Sequence, residues 1–134
     1  MIKDLPKNEV TDIGIAVVLE EEFATEKSWK VYLLNLKKEE IKNVLVSSKG
    51  YGPYQGEEVK TSVLRHFLGD MKPLTYKVIE AIQEDLFSIN NEFLLSYYIG
   101  DTIFDKKFVF VTESVVESNF IRIPLVNKPG VMIA

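Results

Sequence analysis

The run Ile13-Gly14-Ile15-Ala16-Val17-Val18-Leu19 limits the fold more than any other stretch. Ile13, Ile15, Val17 and Leu19 alternate onto one face, and β-branched residues dominate, which is the pattern of a strand. Gly14, Ala16 and Val18 on the other face are small or apolar, so the strand is expected to be covered on both sides. The same period returns over Ser28 to Leu36, where Trp29, Val31 and Leu33 face one way and Tyr32, Leu34 and Leu36 the other. Asn43 to Ser48 reads as a third strand. Polar connections between the three, at a spacing of roughly 15 residues, predict a meander of antiparallel hairpins.

The pattern resumes after Asn90. Glu92 to Ile99 places Phe93, Leu95, Tyr97 and Ile99 on one face, and Lys106 to Val111 sets Phe108 and Phe110 opposite Val109 and Val111. These two runs predict a hairpin. Asn119 to Ile123 reads as another strand, stopped by Pro124. Asn127-Lys128-Pro129-Gly130 makes a turn, and Val131-Met132-Ile133 forms a short edge strand.

Two segments read both ways. In Glu57 to Met71, Val59, Val63, Phe67 and Met71 recur at helical spacing, with acidic residues early and Arg65 and His66 late. The same segment alternates, with Val59, Thr61, Val63, Arg65 and Phe67 on one face, and its β surroundings favour a strand. Tyr76 to Phe87 is expected to be a strand followed by a short helix. Residues 1–11 form a loosely ordered start. Together these readings predict a mainly β, single-domain chain over 1–134, an antiparallel β-sandwich or partly open barrel with at most one or two short helices.

Composition enters as a set of exclusions. With 134 residues, 46% of them hydrophobic, the chain can build a core without staples. Sixteen Lys and Arg against 20 Asp and Glu give a net charge of -4, which argues against a nucleic-acid binder. No cysteine is present, so disulfides, thiolate chemistry and Cys-based metal sites are excluded. Met1 to Lys7 lacks the apolar core of a signal peptide, and Ile15 to Leu19 is far short of the ~20 residues of a membrane span. A cytoplasmic protein with no membrane partner is expected.

Ser47 to Gly56 holds three of the seven glycines, two of the six tyrosines and Pro53, and reads as a loop between the third strand and the ambiguous fourth element. Tyrosines in a long connection suit recognition, because they offer flat apolar faces with polar tips. The plainer reading is a hairpin connection whose tyrosines pack back on the sheet. It is not a phosphate loop: Lys49 precedes the glycines and no Gly-Lys-Ser/Thr ending follows. His66, the one histidine, is either a general base or a partly buried histidine bonded to backbone, and on a strand Arg65 points to the opposite face. Asp101 and Asp105 are too few for a calcium loop and read as solvated carboxylates. Gly-x-Ser-x-Gly, His-Glu-x-x-His and Gly-x-Gly-x-x-Gly do not occur. The candidate ligand- or partner-binding residues are therefore Lys49, Tyr51, Tyr54, Gln55, Arg65 and His66. No catalytic residue, metal ligand or cofactor is assigned.

Val44 to Gly52, Lys60 to Phe67, Asn90 to Phe93, Asp105 to Phe110 and Ile123-Pro124-Leu125 resemble a group of short Bacteroidetes-type proteins of unknown function. Some of these carry the label of a phenylalanyl-tRNA synthetase alpha subunit. The resemblance spans most of residues 29–133 and implies no activity and no catalytic residues. A synthetase catalytic domain is much larger, and the class II signature arginine motif is missing here.

Strong β patterning without a catalytic constellation leads to one expectation: a non-catalytic module for protein interaction or self-association. It would act through exposed strand edges, the 47–56 stretch and the apolar C-terminal strand, with a protein partner or a homo-oligomer. The alternative is a small ligand-binding protein or enzyme with a pocket under residues 47–56.

Overall fold

The computed structural model describes residues 8–134. Ten strands, β1 (Ile13–Glu22), β2 (Lys27–Asn35), β3 (Ile41–Tyr54), β4 (Glu57–Lys60), β5 (Leu64–Met71), β6 (Thr75–Ile82), β7 (Asn90–Ile99), β8 (Thr102–Phe110), β9 (Ile121–Arg122) and β10 (Pro129–Ile133), form two antiparallel sheets. The first has the order β6-β2-β1-β10-β9. In the second, β4-β3-β7-β8 run in order and β5 also pairs with β3. Short 3-10 turns at Glu84–Ser88 and Glu117–Asn119 are the helical elements among the described residues. No helix there is long and apolar enough to cross a membrane.

The alternating residues explain the layering. Ile13, Ile15, Val17, Trp29, Val31 and Leu33 of the first sheet meet Val44, Val46, Phe93, Leu95, Phe108 and Phe110 of the second in one buried cluster. The result is a β-sandwich. The expected cover on the far side of β1 is present too: Ala16, Val18, Tyr32 and Leu34 form a second cluster under Ile123, with Val126 and Met132 packed on it.

The predicted hairpin of β7 and β8 is present, as are a strand and a short 3-10 turn over 75–88. The 57–71 segment is extended, but Thr61-Ser62-Val63 divides it, and both pieces lie along the same edge of β3. Of the loosely ordered start, residues 1–7 lie outside the described residues. Val10 packs on the core, and Asn8 donates from Nδ2 to the Ile103 carbonyl.

Three expectations need correction. First, β1, β2 and β3 are not a meander, because β2 pairs with β6 on its second side and β3 opens the other sheet. Asn35, fully buried, fixes this corner: its Nδ2 donates to the carbonyls of Glu39, Met71 and Lys72, and its Oδ1 accepts from Lys37 N. Second, Ser47 to Tyr54 is strand, not loop. A Cβ on Gly50 would lie 2.9 Å from Ile89 Cδ1, so that glycine marks a close approach within a strand. Pro53 is tolerated because the ladder to β7 has ended at Tyr51 and Asn90. The turn is only Gln55-Gly56, both with positive φ (53 and 82), as a type I′ hairpin demands. Third, β10 is not at the edge. It pairs with β1 and, at Pro129 and Gly130, with β9.

Candidate functional site

Two regions carry the polar and exposed apolar groups that could act. The first is the outer face of the second sheet. β3 turns Val44, Val46 and Ser48 inward, so Leu45, Ser47, Lys49 and Tyr51 face out. Pairing extends this into rows. Phe67, Leu45, Ser96 and Asp105 form one row, and Arg65, Ser47, Leu94 and Lys107 form the next. The short Ser47 and Ser96 side chains leave a depression between longer neighbours. An open dish of about 460 Å³ results, lined by Leu45, Arg65, Leu94, Asp105 and Lys107 around those serines. Phe67 stands beside it, 68% exposed, while Leu45, Leu94, Tyr98 and Ile103 are also exposed on this face. Among the described residues, Arg65 has no ion-pair partner within 4.0 Å.

The rows end in a charged patch around Glu92, a buried carboxylate. Lys49 Nζ lies 3.6 Å and Lys107 Nζ 3.9 Å from it, and Tyr51 donates its hydroxyl at 3.4 Å. Lys49 also sits 5.9 Å from the centre of the Tyr51 ring.

The second region lies at the opening between the sheets, where β5 and β6 approach. Glu80 Oε1 accepts from Ser48 Oγ at 2.6 Å and contacts His66 Nε2 at 2.8 Å. This is not the arrangement of a hydrolase triad, in which the imidazole stands between hydroxyl and carboxylate. Here the carboxylate is central and holds both. A cavity of about 110 Å³ adjoins it, bordered by Ser48, Gly50, Thr61, Glu80 and Asn91.

The six candidate residues are thus separated. Lys49 and Tyr51 meet at Glu92, and Arg65 points into the dish. His66 faces the interior, opposite to Arg65 as a strand requires, and its partner is the Glu80 carboxylate rather than backbone. Tyr54 and Gln55 stay at the hairpin end, where Gln55 serves the turn. Residues not singled out in the sequence complete both regions: Glu92, Leu94, Lys107 and Phe67 outside, Ser48 and Glu80 inside. Phe67 carried a signal, since the outward phase of β5 puts an aromatic beside Arg65. Glu80 carried none, because its partners come from strands 14 and 32 residues away.

On the outer face of the first sheet, Glu20 accepts from the Tyr32 hydroxyl and, at 2.7 Å, from Lys128 Nζ, with Lys30 Nζ at 3.8 Å. Burial and the Glu20 carboxylate push the Tyr32 phenol far above its usual range. This cluster locks the C-terminal segment over the second core. Among the described residues, no group of three His, Asp or Glu side chains converges as a metal site would require. No family model, curated protein or solved structure matches this chain.

Proposed function

We propose that the chain is a non-catalytic interaction module of the cytoplasm whose outer face on the second sheet receives a protein partner. One observation carries this reading: Phe67, on the outer strand β5, is 68% exposed and shares the outer sheet face with exposed Leu45 and Leu94 of the central strands β3 and β7. An apolar group of this kind, rimmed by Arg65 and Lys107, is what a protein-binding surface presents. The Arg65 guanidinium, without an ion-pair partner among the described residues, favours a partner segment that combines apolar and acidic side chains. The absence of cysteine fits a reducing compartment, and the net charge of -4 speaks against nucleic acid.

Affinity capture from the source cell tests the reading. Wild-type protein should retain a partner that Phe67→Asp and Leu94→Asp lose and that Val78→Asp, on the other sheet, keeps. Equal retention by all four would contradict it.

A second reading draws on the Ser48, Glu80 and His66 cluster, which borders a cavity under residues 48–50. Its 110 Å³ holds about four waters, well below the ~300 Å³ of ordinary ligand pockets. Only a small polar ligand fits, and calorimetric titration with such compounds would reveal it.

A further inference from the structure

β8 is the outermost strand of the second sheet, and among the described residues no strand pairs with its free side. The two-residue turn Gly100-Asp101 closes on the pair Ile99 and Thr102. Thr102, Phe104, Lys106 and Phe108 therefore turn their backbone groups toward β7, while Ile103, Asp105, Lys107 and Val109 turn theirs outward. Asn8 confirms this phase, since its Nδ2 donates to the Ile103 carbonyl at 2.9 Å. That is the one hydrogen bond a described residue makes to this edge. The edge of β5 is guarded instead: Lys77 Nζ donates to the carbonyls of Leu68 at 2.6 Å and Asp70 at 3.0 Å.

We propose that β8 pairs antiparallel with β8 of a second copy, about a two-fold axis through Lys106, joining the two second sheets into one. This self-pairing goes beyond the interaction reading above, because it uses the β8 edge, three strands away from Phe67, and leaves the outer face free. The argument is the self-complementarity of the strand. With the axis at Lys106, Asp105 stands opposite Lys107 of the other copy, twice over by symmetry. Ile103 then faces Val109, and Phe104 faces Phe108. All the outward backbone groups from Ile103 to Val109 find partners, and the Asn8 amide gives up the Ile103 carbonyl. The neighbouring registers match worse. An axis at Asp105 sets that carboxylate against itself and Lys107 against Ile103. An axis at Lys107 opposes two lysines and leaves Asp105 against Val109. At Lys106 the one discord is the axial pair, and there each Lys106 Nζ leans over its own Phe108 ring, 4.9 Å from the centre. The dimer also brings the Asp105 and Lys107 walls of the two dishes side by side across the axis.

Sedimentation equilibrium of the purified chain from nanomolar to high micromolar concentration tests this. A concentration-dependent dimer is expected. Asp105→Lys opposes two lysine pairs and should weaken dimerisation about tenfold or more, as should Lys107→Asp. The double swap D105K/K107D restores both pairs and should return the dimer to within about threefold of wild type. Lys107 also lies 3.9 Å from Glu92, so each variant is first shown to melt cooperatively. Lys107→Pro, which removes one outward N–H and no bond to β7, should abolish the dimer while the fold persists. A strict monomer at every concentration, or a double swap no better than the single ones, overturns the proposal. A monomer that still captures another protein through Phe67 would leave the interaction reading standing and remove only the β8 self-pairing.

Discussion

Glu80 Oε1 lies 2.8 Å from His66 Nε2, and this contact fastens the first sheet to the second at the open side of the sandwich. The same oxygen holds the hydroxyl of Ser48, a residue only 6% exposed. Glu80→Ala strands both partners and should cost about 1–3 kcal/mol. Urea unfolding measures it. A loss under about 0.5 kcal/mol would show that the bridge is ornamental.

Tyr97 is 1% exposed, its ring stacks on Phe104 with centroids 5.2 Å apart, and its hydroxyl has no hydrogen-bond partner among the described residues. Burial, with the charge of Glu39, pushes that phenol up to about 12. Removing the hydroxyl relieves an unpaired polar group, so Tyr97→Phe should leave stability unchanged or raise it by up to ~1 kcal/mol. Tyr97→Ala should cost about 3–5 kcal/mol through the cavity it opens. A destabilising Tyr97→Phe would reveal a partner for the hydroxyl.

Burial raises the Glu20 carboxyl, but hydrogen bonds from Lys128 and Tyr32, with the charges of Lys128 and Lys30, outweigh it and hold the group below its ordinary 4.5. A depressed carboxyl contributes stability above its unfolded value and loses it as the pH falls through the folded one. Wild type should therefore lose stability from about pH 4.5 downward more steeply than Glu20→Gln. Melting curves between pH 3 and pH 7 compare the two. Parallel curves would contradict this account of the cluster.

Gly130 faces Val18 across the β1–β10 ladder, and a Cβ there would overlap the Val17 carbonyl oxygen and the Val18 backbone. Gly130→Ala must separate the strands and should cost about 1–3 kcal/mol. Loss of amide protection confined to 15–18 and 130–133 would locate the damage. Unchanged protection would mean that the ladder yields without cost.

Local pattern made the strands and the sandwich legible. Ile13 to Leu19 and Phe93 to Ile99 advertise both their extension and their buried face. Pairing was not legible: nothing in Leu36 to Glu40 says that the chain crosses to a second sheet there, because the decision lies with Asn35 and its contacts at 71 and 72. Gly50, Gly52 and Pro53 imitate a loop because glycine serves close approach and turns alike, and only Ile89 and Asn90 reveal which. Of the site, Lys49, Tyr51 and Arg65 were visible as exposed polar residues near aromatics. Buried Glu92 and half-buried Glu80 were not, since such carboxylates are defined by partners distant in sequence.

The central claim is that the outer face of the second sheet binds protein. Photocrosslinking in cells tests it most directly, with benzoylphenylalanine placed at Phe67, at Leu94 and, on the first sheet, at Val78. The account predicts discrete adducts from positions 67 and 94 and none from 78, the adduct mass distinguishing a second copy from another protein. Adducts from 78 alone, or from none of the three, would contradict it.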